Sequence, residues 1–434
     1  MKIPPRIWIP VGGAVLIASS ILLALWWQLS DAAATLKLEI TNVINLPTPD
    51  LTVAPSSPFD ESDRALLHLR KGDLFALRGE WGPAQTEFES AVNAGGGIGA
   101  LRKLAQSQLQ RRDIQGTRAT LRRLKVEGAR AEDLLLLESV VLLRTGELVK
   151  ARSILEAAEE SPQKHYGLAL LAIIQGMHEQ AKVELAQVIA GWDPLLRTNA
   201  RSLNAAYDEF ALFPESQELH LVTLLSRALA QVQECELALP LLVQVLEQQD
   251  DYRDAWIVQG YCELTTERFE QSLASLERAY AIDPEKPEVQ YFLARAHAAL
   301  KDHENAITFF SYALQNGFKP EEEVRHWIAR EAGEVDNTDL AIEQYTALAK
   351  ADDAPLEATE ELVALLGAVG RKEEAFGAAL KAATRWPEEA KVQLLLGQTA
   401  LAADRKTEAR EAFEKALRLD PSMKEAEENL QKLL

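Results

Sequence analysis

The chain has 434 residues, of which 47% are hydrophobic, 26% charged and only 6% aromatic, and its formal net charge is −20 at pH 7. This composition excludes a disordered chain, and the charge excludes wholesale nucleic-acid binding, because a polyanion would be repelled. Ala, Leu, Glu, Lys and Arg dominate and β-branched runs are short, so the expected fold is all-α.

The first element in chain order is "IWIPVGGAVLIASSILLALWW", Ile7 to Trp27, an uncharged stretch long enough to span a bilayer. Trp8 at one end and Trp26 and Trp27 at the other suit the two membrane interfaces. Lys2 and Arg6 precede it and Asp31 follows it, so the N-terminus is expected in the cytoplasm and everything after Gln28 outside it. Residues 1–30 are therefore read as a transmembrane anchor. The competing reading is a signal peptide cleaved near Ala32-Ala33-Ala34; the long apolar core and paired tryptophans argue against it, and either reading exports the rest. Gly12, Gly13, Ser19 and Ser20 offer small residues for helix packing, although GxxxG is missing. Residues 31–62, which include "NLPTPDLTVAPSSPFDESD", read as an extended linker. Within them Leu36 to Ile44 alternates enough for a short strand, with no obvious partner.

From about Ala65 a pattern with a period of about 34 residues begins. Gly72, Phe75, Ala84, Phe88 and Ala91 open it; Thr117, Leu121 and Leu124 follow, then Gly146, Ala151, Leu155 and Ala158, then a shorter unit with Gly176, Ala181, Leu185 and Val188. Between Pro194 and Pro214 the stretch "LLRTNARSLNAAYDEFALF" breaks the spacing. It is helical by pattern and carries Tyr207, Phe210 and Phe213, so residues 195–215 read as an inserted helix, either packed where two sub-arrays meet or shaping a binding surface. The period resumes with Ala238, Leu242 and Val245, then Trp256, Gly260, Leu276, Ala279 and Pro284, then Gln290, Ala294, Phe310 and Ala313. Trp327, Ala341, Tyr345 and Leu348 come next, offset by one; Ala375, Ala379, Ala382 and Pro387 follow, and Gly397, Ala409, Phe413, Ala416 and Pro421 close the series. Residues 422–434 open on Ser422 as a helix cap and read as a polar capping helix.

This pattern resembles the tetratricopeptide repeat (TPR) over nearly everything from about Ala65 to Leu434. The resemblance is carried by the period, by the twelve-residue step from Gly72 to Ala84 and from Gly397 to Ala409, and by the Asp-Pro pairs at 283–284 and 420–421. It implies about ten helix–turn–helix units in a right-handed α-solenoid, divided into an N-terminal array, 63–194, and a C-terminal array, 216–421. A small residue such as Gly260 lets the first helix of a unit approach the second. The prolines end one unit and open the next, and no unit can bury its apolar stripe without its neighbours.

The sequence offers little chemistry. Seven histidines are scattered, HExxH and GxSxG are absent, and Gly95–Gly99 follows a helix and lacks the Lys-Ser/Thr of a phosphate loop. Cys235 and Cys262 read as small buried hydrophobes, or as a single bridge in an oxidising compartment. No catalytic residue, metal or cofactor is expected. The resemblance implies a groove lined by the first helix of each unit, which places Ile257, Tyr261, Tyr291, Arg295, His326 and Arg330 as residues for a protein or peptide partner. The Lys, Asn and Arg set of the family's two-carboxylate clamp does not appear. Arg102, Lys103, Arg111, Arg112, Arg118, Arg122, Arg123, Lys125 and Arg130 make the second unit basic, which suits contact with anionic lipid heads or an acidic partner, or a solvated face paired with acidic neighbouring repeats. The resulting expectation is a scaffold or adaptor on the inner membrane with its repeats in the periplasm, typical of bacterial envelope proteins that resemble it. The alternative is an accessory or regulatory subunit of a membrane enzyme that docks through its anchor.

Overall fold

The computed structural model describes residues 61–351 and 354–433. The expected anchor with Trp8, Trp26 and Trp27, the strand Leu36 to Ile44 and nearly all of the linker lie outside the described residues. Among the described residues there are twenty-two α-helices and no strand, and no helix is long and apolar enough to cross a membrane.

Four antiparallel hairpins come first: α1–α2 (Glu61–Leu77, Trp81–Asn93), α3–α4 (Gly97–Gln110, Ile114–Val126), α5–α6 (Ala131–Arg144, Leu148–Ala157) and α7–α8 (Pro162–Ile174, His178–Ala190). A single helix, α9 (Pro194–Ala211), follows and packs against both α8 and the next hairpin. Six more hairpins continue the stack: α10–α11 (Glu218–Gln231, Cys235–Gln248), α12–α13 (Arg253–Thr265, Phe269–Ile282), α14–α15 (Pro287–Ala299, His303–Gln315), α16–α17 (Glu321–Glu334, Thr338–Lys350), α18–α19 (Leu356–Ala368, Lys372–Arg385) and α20–α21 (Ala390–Ala402, Lys406–Leu419). Helix α22 (Lys424–Gln431) lies over the last of them.

Each hairpin turns in the same way. One residue per turn takes a left-handed conformation: Gly79, Arg112, Gly146, Gly176, Gln233, Glu267, Lys301, Asp336, Gly370 and Asp404. The next residue donates its N–H five positions back, as in Asp302 to His297 (2.9 Å), Arg268 to Glu263 (2.8 Å) and Arg405 to Ala400 (2.8 Å). This closure ties off the orphan carbonyls of the first helix and reverses the chain within three residues. Gly146 and Gly176 therefore serve the turns, although the sequence period sets them in series with Gly72, which packs inside a helix.

Glycine plays the packing role at three matching sites. A Cβ on Gly72 would come within 2.4 Å of the Phe88 ring, one on Gly260 within 2.5 Å of Leu276, and one on Gly397 within 2.4 Å of Phe413. The bare backbone of the first helix thus admits the large side chain of the second, and Phe88, Leu276 and Phe413 are all buried. At Gly260 the vacated space also lets the Ser272 hydroxyl donate to the glycine carbonyl at 2.7 Å. Local caps fix the helix starts: Asp113, Ser161, Asp193, Asp302 and Asn337 each accept a backbone N–H of the first turn.

The stack is not purely nearest-neighbour. The α10–α11 turn and the start of α11 reach back to the second and third hairpins. Arg144, at the end of α5 and 2% exposed, forms an ion pair with Glu234, 8% exposed. The same guanidinium donates to the carbonyls of Leu109 at 2.9 Å and Gln233 at 3.1 Å. Arg112 lies 3.1 Å from Glu236 beside it. Burial pushes the Glu234 carboxyl up, against the pull of Arg144. Helix α9 thus sits where the chain bends enough for hairpins two, three and five to meet.

Candidate partner-binding face

The first helices α12, α14 and α16 lie side by side and supply the six residues expected for the groove. Tyr261 of α12 is half-buried, with its ring edge-on to Phe292 of α14, centroids 5.3 Å apart. Tyr291 is 3% exposed and stacks on Phe318 at 4.2 Å. Its hydroxyl donates to Glu323 and accepts from Arg295 at 3.0 Å, and burial pushes it up to about 12. The Tyr291 ring is therefore part of the core, unlike the surface anchor expected of it, and it holds Arg295 in position.

Arg295 then spans to the next helix. Its guanidinium lies 4.4 Å from the centroid of the Trp327 ring, and that of Arg330, one turn on, lies 4.5 Å from the same ring. Trp327 is itself stacked on buried Phe310 at 5.7 Å. Two cations thus lie against one indole that also stacks on Phe310, an arrangement in which the ring quadrupole attracts both. Arg330 is exposed and its one carboxylate contact, with Glu331, is at 3.7 Å, so most of its N–H donors face water. Carboxylates on a partner would find two oriented guanidiniums here.

The structure joins Tyr291, Arg295 and Arg330 through Trp327, and Tyr261 to them through Phe292. Ile257 packs against the cluster that holds Leu276, Val289 and Leu293, which Phe292 also borders. His326 is exposed and turns toward Tyr345 of α17, with ring centroids 6.1 Å apart. In the sequence Trp327 stands only as a repeat marker. The signal for its role was Arg330 three positions on, together with Arg295 nine positions into the preceding first helix.

The basic second unit is mostly neutralised. Lys103 pairs with Asp73, Arg102 with Asp133, Arg118 with Glu147, Lys125 with Glu138 and Arg112 with Glu236, all across hairpins. Arg123 and Arg130 pair with nearby acids, and Arg111 donates to Gln85. An open cleft of about 490 Å³ lined by Arg118, Arg122, Lys125 and Lys150 remains beside these pairs.

Apart from His326, the histidines tie helices together or cap a turn. His68 pairs with Glu87 and His165 with Glu184, both nineteen positions on; His303 pairs with buried Glu331 and His220 with the Tyr252 hydroxyl. Among the described residues no group of three or more His, Cys, Asp or Glu side chains could hold a metal ion. Gly96 donates to Ala91 at 2.9 Å, so the glycine run is a helix end and turn. Cys235 and Cys262 are free buried thiols, and the Thr265 hydroxyl donates to the Cys235 sulfur at 3.2 Å.

A family model for the Tetratricopeptide repeat matches residues 223–287, 264–319 and 365–424. No curated protein matches the chain. Similar solved structures include YrrB, a TPR protein with an unusual peptide-binding site, at 17% identity and a TM-score of 0.36, covering 44% of this chain and 98% of that one. A tetratricopeptide repeat protein from Parabacteroides merdae aligns at 18% identity and a TM-score of 0.34, covering 61% and 98% of the two chains. PilW, a type IV pilus biogenesis factor, aligns at 18% identity and a TM-score of 0.34, covering 50% and 99%.

Proposed function

We propose, for a chain whose residues 223–319 and 365–424 are tetratricopeptide repeats, that it is a protein–protein scaffold which makes and breaks no bond. It is held by its N-terminal apolar segment in the inner membrane, with the repeats outside the cytoplasm. The partner is an extended peptide or helix of an envelope assembly, gripped along α12, α14 and α16. The observation that carries this reading is the pair of guanidiniums of Arg295 and Arg330 on the Trp327 ring, with Tyr261 beside them. Aromatic and Arg side chains held rigid in this way give much contact for little lost entropy. The occupant therefore carries carboxylates, as side chains or as a chain terminus, spaced to meet both cations.

Photo-crosslinking amino acids at Tyr261 and Arg330, in cells expressing the full chain, test this. One partner should be captured from both positions, and Arg295→Ala with Trp327→Ala should abolish its capture. Capture that is unaffected by those changes, or nothing reproducible at either position, would reject the groove. Membrane-impermeant thiol labelling of a cysteine placed at exposed Glu427 tests the topology separately: labelling of intact cells only after the inner membrane is broken would place the repeats in the cytoplasm.

A further inference from the structure

The two ends of the stack are finished differently. At the C-terminal end, α22 buries Ala426 and turns Glu425, Glu427 and Glu428 to water. At the N-terminal end, α1 leaves Leu66, Leu67, Leu74 and Leu77 at 47%, 48%, 48% and 72% exposure. At one hundred degrees per residue these four share one face, opposite buried Ala65 and Gly72. Asp63 and Arg70 lie within that face, and Arg64, Lys71 and Arg78 lie along one flank; all are exposed, and none of the four bases pairs with a carboxylate among the described residues. An array end normally needs a polar outer surface, so this one lacks a layer.

We propose that the missing layer is this chain's own residues 36–44, which fold back and cover the leucine face of α1. Four facts point to that occupant. Leu36, Leu38 and Ile40 alternate with Lys37, Glu39 and Thr41, giving one apolar face to an extended segment. Nine extended residues span about 30 Å, and the seventeen residues of α1 span about 25 Å, so the two match in length. Residues 45–60 tether them: sixteen residues that include Pro47, Pro49, Pro55 and Pro58 reach up to about 50 Å when extended, enough to return along the length of α1. The charges also match, because residues 31–60 carry Asp31, Glu39, Asp50 and Asp60 against a single Lys37, facing Arg70, Lys71 and Arg78. The linker is on this view the N-terminal cap of the solenoid, and its prolines hold the return path open.

Amide hydrogen exchange of the full chain, purified in detergent and in lipid discs, tests the cap. Residues 36–44 should exchange at least tenfold more slowly than the same sequence as a free peptide. Leu38→Asp with Ile40→Asp should remove that protection and speed exchange in α1 several-fold, with α12–α21 unchanged. Leu67→Asp with Leu74→Asp, on the exposed side of a helix that keeps its buried face, should release residues 36–44 from the other side. Free-peptide exchange at residues 36–44 in the parent chain overturns the proposal. So does protection of α1 that follows protein concentration and a doubled mass, which assigns the face to a second copy. Protection that appears only in lipid discs overturns it as well, and assigns the face to the bilayer.

Discussion

Arg144 and Glu234 stand ninety positions apart and meet through two hydrogen bonds, Nε to Oε2 at 2.8 Å and Nη2 to Oε1 at 3.1 Å. Removing one partner leaves a buried charge unmatched, which costs about 3–5 kcal/mol. Arg144→Ala should therefore destabilise the N-terminal half by that order in urea unfolding, and Arg144→Met with Glu234→Leu should recover most of the loss. A double-variant loss equal to the sum of the Arg144→Met and Glu234→Leu losses would mean the pair is not coupled.

The left-handed turn residues offer a graded test. Gly146 has a φ of +74° and open space where a Cβ would stand, so Gly146→Ala carries backbone strain alone and should cost about 1 kcal/mol. Lys301 adopts a φ of 62° with a side chain present. Lys301→Gly should gain roughly 0.5 kcal/mol, the relieved strain being partly offset by the greater freedom of glycine in the unfolded chain. Thermal midpoints moving in opposite directions would bear this out.

At Gly397 the constraint is steric. Its added Cβ would meet the Phe413 ring at 2.4 Å, and Gly397→Ala should cost about 1–3 kcal/mol by overpacking. Phe413→Leu in the same chain should recover part of it, since a smaller partner vacates the clash. A neutral Gly397→Ala, read by chemical denaturation, would show that the hairpin can widen without penalty.

Glu147 gives a pH dependence. Hydrogen bonds from Lys150 and Arg118 hold its carboxyl down at about 2, from an ordinary 4.5. A carboxyl held low in the fold binds its proton less readily there than in the unfolded chain, so its contribution is present above about 4.5 and is lost as pH falls toward about 2. Acid titration of stability should show that loss, Glu147→Gln should flatten it, and salt should weaken it because the pair with Arg118 is solvent-accessible.

The repeat was legible because its determinants are local. Gly72 with Phe88, Gly260 with Leu276 and Gly397 with Phe413 each pair the two helices of one hairpin, so the same spacing recurs in the sequence and in space. Turn and packing glycines are not distinguished by identity, so Gly146 and Gly176 fall in series with Gly72 in the sequence. Nothing local marks the pair of Arg144 and Glu234, whose meeting depends on the bend at α9. On the candidate face, a position on the first helix told which residues share a side but not how deep each lies. Tyr291 went inward because Phe318, from the loop after α15, stacks on it, and the indole that organises the two arginines stood one residue from His326.

Three carbonyl and carboxylate groups from two distant turns converge on the Arg144 guanidinium, and this gives the molecule uneven mechanical compliance. A tensile load applied between the two ends meets a stapled loop from Leu109 to Glu236, which cannot lengthen until the pairs of Arg144 and Arg112 both break. Extension is then taken up first in the hairpins from Arg253 onward, where each unit is joined only to the next. Strain from a load on the far end would thus concentrate on the stretch that carries Tyr261, Arg295 and Trp327.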